Sequence, residues 1–111
     1  MNRVFRVNQL IKKELSQIIL KEMNFQRNVL VTITRVETSA NLIQAKVYLS
    51  VIPESQLPSV LAMLQQSIYR LQQRLNKRLS MRPTPKIVFA EEKTTREAGR
   101  VEELLEKIKS S

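Results

Sequence analysis

The chain contains no cysteine, no histidine and no aspartate, and it has a single glycine. Each absence removes a class of chemistry. Without cysteine there is no disulfide framework and no thiol nucleophile, a composition that fits a reducing compartment. Without histidine the chain loses the usual general base near neutral pH and the commonest zinc ligand. All ten acids are glutamates. Their best-spaced pair is Glu102 and Glu106, one helical turn apart. Arg100, Lys107 and Lys109 surround it, so ordinary ion pairs on a helix surface are its expected role. Gly99 alone cannot build a glycine-rich phosphate loop. The chain is therefore expected not to be an enzyme and to hold no metal and no cofactor.

Long apolar runs are also missing. Nowhere are there the roughly 18 uninterrupted apolar residues of a membrane span, and the N-terminus lacks the apolar stretch of a signal peptide. The sequence reads as a soluble intracellular protein. Its 111 residues suit one domain, and 42% hydrophobic content is enough for a core.

What is present in excess is positive charge. Lys and Arg number 19 against 10 acids, for a net charge of +9. The excess is uneven. Residues 1–90 carry 14 bases and 4 acids, whereas residues 91–111 carry 5 bases and 6 acids. A basic body of this kind attracts polyanions, nucleic acid first and an anionic membrane surface second.

The strongest pattern runs from Leu57 to Leu79. On a helix at about 100° per residue, Leu57, Leu61, Leu64, Ile68, Leu71, Leu75 and Leu79 form one buried seam. Arg70, Arg74 and Lys77 share a flank away from it, with Arg78 at the seam's edge. A helix this long leaves two readings open, a straight one and one kinked near Ser67. The cationic cluster survives such a kink because it lies wholly in the second half. Tyr69 falls off the apolar line, where it either stacks on a base or shields a helix flank.

The remaining elements follow in order. Val4, Val7, Ile11, Leu15 and Ile18 predict an amphipathic helix ending near Met23-Asn24, with Arg6 and Lys13 opposite its apolar line. Such a helix can lie on a membrane, but the strands that follow give it a sheet to pack on. Val29, Val31 and Ile33 alternate with Leu30, Thr32 and Thr34 in a strand running to about Glu37. After a turn at 38–41, Ala45, Val47, Leu49 and Val51 line one face of a second strand. These two strands form an antiparallel hairpin with one face on the core and one facing water. Ser55 is the expected N-cap of the long helix, with Pro58 in its first turn. Pro83 and Pro85 end that helix, with Arg82 beside them. Ile87, Val88 and Phe89 make a third strand. Val101, Leu104, Leu105 and Ile108 predict a short amphipathic helix in a C-terminal tail.

The order helix, strand, strand, long helix, strand predicts an α/β (α+β) sandwich, its two main helices on one face of a three-stranded sheet. At this level the chain resembles the ribosome-binding factor A family, bacterial factors of small-subunit maturation. The likeness is carried by Arg3-Val4 with Ile11-Lys12-Lys13-Glu14-Leu15, and by Val31-Thr32-Ile33-Thr34-Arg35-Val36-Glu37. It continues through Ala45-Lys46-Val47-Tyr48-Leu49-Ser50, then Asn76-Lys77-Arg78-Leu79 followed by Arg82, Thr84-Pro85 and Phe89. It closes on Gly99-Arg100-Val101-Glu102-Glu103-Leu104-Leu105. The resemblance implies a KH type II-like αββααβ fold with a mixed sheet and no GXXG loop. It also implies a helix–kink–helix. The family's Ala-x-Gly kink is replaced here by Ser67-Ile68-Tyr69, and Asn76 stands where the family often has Gly.

On this reading, residues 1–90 are a KH-like RNA-binding domain and residues 91–111 a tail. The expected RNA-binding residues are Arg6, Lys13, Arg70, Arg74, Lys77, Arg78 and Arg82, acting on phosphates. The resemblance implies that the partners are 16S rRNA and the immature small (30S) ribosomal subunit near its neck. It implies a non-catalytic role in late rRNA maturation in the cytoplasm, by a monomer that binds neither DNA nor membrane. Two other readings stay open on the residues alone. One is a KH-like module for single-stranded RNA unrelated to ribosome assembly. The other is a structural protein whose leucine seam pairs with another chain.

Overall fold

The computed structural model describes residues 2–92. The expected tail helix, Gly99, and the Glu102–Glu106 pair lie outside the described residues. Within them the order is α1 (Arg3–Glu22), β1 (Leu30–Thr38), β2 (Gln44–Ile52), α2 (Leu57–Gln66), α3 (Ile68–Arg78) and β3 (Lys86–Glu91). The sheet order is β1-β2-β3, with β1 antiparallel and β3 parallel to β2. This is the expected αββααβ arrangement with a mixed sheet.

Helix α1 starts where the Asn2 side chain accepts a hydrogen bond from the Val4 N–H at 2.7 Å, satisfying one of the free amides of the first turn. Its buried line is Val7, Ile11, Leu15, Ile18 and Ile19. The inner face of the sheet is supplied by Ala45, Val47, Leu49 and Val51 from β2, Ile33 and Val36 from β1, and Ile87 from β3. The opposite face of β2 presents Lys46, Tyr48 and Ser50 outward.

One feature of β1 departs from simple alternation. Ile33 pairs with Leu49 and Arg35 with Tyr48, so Thr34 is an extra residue in a β-bulge. A one-residue shift moves every later side chain to the other face. Without the bulge Arg35 and Glu37 would point into the core. With it, Val36 and Thr38 turn inward and the two charges turn out.

The long helix is broken. Ser67 separates α2 from α3 at φ −99°, ψ 6°, and its N–H bonds back to the Met63 and Leu64 carbonyls at 3.2 and 3.1 Å. This is the bridge region of backbone space, open to any L-residue, so the kink needs no glycine. The break also re-aims the first half. Val60 and Leu64 are the buried residues of α2, while Leu57 and Leu61 are only half-buried. In the second half the expected seam holds, with Leu71, Leu75 and Leu79 buried. Ser55, expected to cap the long helix, instead lies inside a 3₁₀ turn, Glu54–Gln56, and α2 starts without a side-chain cap. The chain leaving Pro53 is already coiling there, since the Gln56 N–H reaches the Pro53 carbonyl at 3.0 Å.

Both sheet edges are tied to helices by amide side chains. The Thr38 N–H on β1 donates to Asn8 Oδ1 of α1 at 2.8 Å. The Ile87 N–H on β3 donates to Gln72 Oε1 of α3 at 2.8 Å, and Gln72 Nε2 donates to the Pro85 carbonyl at 3.1 Å and to Asn76 Oδ1 at 3.0 Å. These bonds satisfy edge donors that would otherwise be buried without partners. Asn76 therefore orients the amide that holds the start of β3.

Truncating the core and truncating the surface should differ sharply. Leu71→Ala, at a fully buried position, is expected to cost about 2–5 kcal/mol in urea unfolding. Leu20→Ala, where the side chain is 83% exposed, should stay within about 0.5 kcal/mol of the parent.

Candidate nucleic-acid interface

Helices α1 and α3 pack side by side and run antiparallel. Arg70 and Arg74 meet Glu22 near the end of α1, and Arg78 meets Glu14 near its middle. The buried leucines of α3 hold its basic flank against α1 by the 3.6-residue repeat. Arg70, Arg74 and Lys77 must then lie along the inter-helix groove or just outside it. That groove is lined by Lys21, Glu22, Arg74, Lys77 and Arg78.

The pattern is less purely cationic than the seam alone suggests. Arg70 Nε lies 3.3 Å from Glu22 Oε1, and Arg74 Nε lies 3.7 Å from Glu22 Oε2. Arg78 Nη1 donates to Glu14 Oε2 at 3.2 Å and to Gln17 Oε1 at 3.1 Å. Two glutamates thus stand among five bases, counting Lys21 and Lys77. The charge of the groove stays positive. Arg70 and Arg74 keep half of their side-chain surface open, whereas Glu22 keeps 23%. Exposed pairs of this kind contribute at most about 1 kcal/mol and are screened by salt. Their main effect is geometric: they hold long, mobile guanidinium groups in a fixed row.

The other expected bases fall at different distances from this groove. Lys77 lies on it and makes no ion pair among the described residues. Arg6 sits near the start of α1, where it lines a surface depression with Arg3, Leu10 and Met81, the residue before Arg82. Because the helices are antiparallel, this places Arg6 and the Arg82 loop at the far end of the same seam. Lys13 is exposed on α1 and makes no ion pair among the described residues. The bases therefore form a ridge along about 30 Å of helix, with Lys13 on its outer shoulder. Arg3 and Lys21 belong to it and were not singled out by helical spacing. Both sit on the α1 flank that faces α3, which spacing within one helix does not identify.

A second polar cluster lies on the open face of the sheet. The Arg35 guanidinium stacks on the Tyr48 ring at 3.8 Å from its centroid. Arg35 Nε donates to Glu92 Oε2 at 2.9 Å, Thr34 Oγ1 donates to the same oxygen at 2.7 Å, and Arg35 also pairs with Glu37. The hydrogen bond to Glu92 is the largest influence raising the Arg35 pKa above the ordinary arginine value. This cluster is a brace between β1 and the end of β3. It depends on the bulge at Thr34. No group of acids among the described residues is arranged to hold a metal ion, and no helix among them is long and apolar enough to cross a membrane.

The glutamates can be tested separately from the arginines. Glu22→Gln should change thermal stability by less than about 1 kcal/mol and should make the protein elute later, at higher salt, from a heparin column. Earlier elution would mean that Glu22 is needed to present the ridge.

Comparison with known proteins agrees with this architecture. The family model described as ribosome-binding factor A matches residues 3–105. A ribosome-binding factor A from Thermosynechococcus vestitus is 34% identical over 109 residues, covering 96% of this chain and 86% of the relative. One from Halothermothrix orenii is 32% identical over 108 residues, covering 96% and 88%. Among solved structures, the Thermus thermophilus ribosome-binding factor A crystal structure superposes with a TM-score of 0.69 at 22% identity, covering 81% of this chain and 97% of that one. A homology model of the Thermus thermophilus protein, fitted into the cryo-EM map of its complex with 30S, gives 0.64 at 24% identity, covering 75% and 88%. These structural likenesses bear on the fold. The sequence matches decide the family, and on them this chain belongs to the ribosome-binding factor A family.

Proposed function

We propose that this protein binds the immature small (30S) ribosomal subunit through 16S rRNA and assists late rRNA maturation, as a binding factor and not a catalyst. The observation that carries this reading is the basic ridge along α1 and α3, on a chain of the ribosome-binding factor A family. A relative from Thermus thermophilus has been placed in a 30S complex, which supports the same partner here. In this reading residues 1–90 are the RNA-binding unit, residues 91–111 are a tail, and the protein acts as a cytoplasmic monomer.

The mechanism is phosphate neutralisation by a preformed surface. Arg70, Arg74, Lys77 and Arg78 supply the central contacts, with Arg6 and Arg82 at one end and Lys13 on the shoulder. Phosphate oxygens take the exposed part of each cationic side chain, and counterions leave the RNA. Side chains on one rigid ridge read the path of a folded backbone and not a base sequence.

The double variant Arg74→Glu, Lys77→Glu should co-sediment more weakly with purified small subunits, and its binding should fall less steeply with salt. Unchanged co-sedimentation would remove these residues from the interface.

A further inference from the structure

The chain has two tyrosines and no tryptophan, and the structure treats the two tyrosines in opposite ways. Tyr48 lies under the Arg35 guanidinium at 3.8 Å, so one ring face is already covered. Tyr69 is 76% exposed, in the first turn of α3 after the break at Ser67. A ring so exposed shields almost nothing of its own helix, which leaves its conformation and identity without a packing role. Its place on α3 is specific. Counting about 100° per residue from the buried Leu71 and Leu75, Tyr69 lies on the exposed side of the helix away from α1, with Gln73 between it and the basic flank. Arg70 and Arg74 are both held toward α1 by Glu22, at 3.3 and 3.7 Å. The nearest cations are thereby drawn off the tyrosine and do not cover its π-face. The more exposed Leu20 offers no flat π-surface.

We propose that Tyr69 is a stacking platform for an unpaired RNA base, whose phosphate backbone runs on from there across Arg70 to the basic flank of α3. The proposal rests on the rRNA-binding reading above and deepens it. It means that the ridge engages RNA at a place where at least one nucleotide is out of its helix. A base stacked on an aromatic ring is held by dispersion and desolvation, and the contact tolerates any base. The phosphates supply charge and position, and the ring supplies a salt-insensitive anchor at one end. Glu22 serves both parts, since the same carboxylate that lines up the arginines keeps the platform open.

The test compares Tyr69→Ala, Tyr69→Phe and the Arg74→Glu, Lys77→Glu double variant, using purified small ribosomal subunits across a salt series and a melting curve for each protein. Tyr69→Ala should bind about tenfold to hundredfold more weakly, with the parent's salt slope and the parent's melting temperature. Tyr69→Phe should bind within about twofold of the parent, because stacking needs the ring and not the hydroxyl. Parent affinity in Tyr69→Ala, alongside weakened binding in the double variant, would overturn the platform and leave the ridge standing. No effect of either variant would overturn the ridge and the platform with it. A Tyr69→Phe as weak as Tyr69→Ala would replace stacking by a hydroxyl contact. A Tyr69→Ala that also melts early would assign the residue a structural role.

Discussion

The contact on which the rest depends is the apolar packing of α1 and the α2–α3 pair over one face of a three-stranded sheet. Ile11, Leu15, Leu64, Leu71, Leu75 and Ile87 are all essentially inaccessible to solvent. Burial on this scale is the dominant favourable contribution in a domain of this size. It also sets the surface. Once Leu71 and Leu75 point inward, Gln72 is turned to β3 and Arg74 to the flank that meets α1. The position of every base on α3 follows from the leucines.

The same packing brings acids to bases that are far apart in sequence. Arg78 meets Glu14 and Arg70 meets Glu22. A ridge of arginines with no acids would repel itself and leave its side chains unplaced. Two half-buried glutamates relieve that repulsion and fix the row, while most of the positive charge stays toward solvent. The pairs are weak in high dielectric, so a polyanion competes with them at little cost. Surface pairing and polyanion binding are therefore compatible uses of the same arginines.

The sheet is finished at its edges and on its open face by polar side chains in chosen places. Asn8 and Gln72 each satisfy an edge N–H from a neighbouring helix. The bulge at Thr34 turns Arg35 outward, where it stacks on Tyr48 and bonds to Glu92. These features consume polar groups that might otherwise be read as part of a second binding site. Tyr48 is covered by this brace, whereas Tyr69 stays open to solvent.

Much of this was legible in the chain itself. The spacing of Val7, Ile11, Leu15 and Ile18, the alternation of Ala45, Val47, Leu49 and Val51, and the seam at Leu71, Leu75 and Leu79 determined which faces are buried, because hydrophobic periodicity is a local property. The absence of His, Asp and Cys and the excess of Lys and Arg pointed to a polyanion as the partner to expect, because charge and side-chain chemistry need no fold to be counted. The bulge, the start of α2 and the shift from Leu61 to Val60 were not legible, since each is a compromise between a local preference and the sheet or helix it must meet. Nor was the pairing of Glu14 and Glu22 with the bases of α3. Those residues lie 48 to 64 positions apart, and only the antiparallel packing of two helices decided that a row of arginines would be held in place by carboxylates and face outward together.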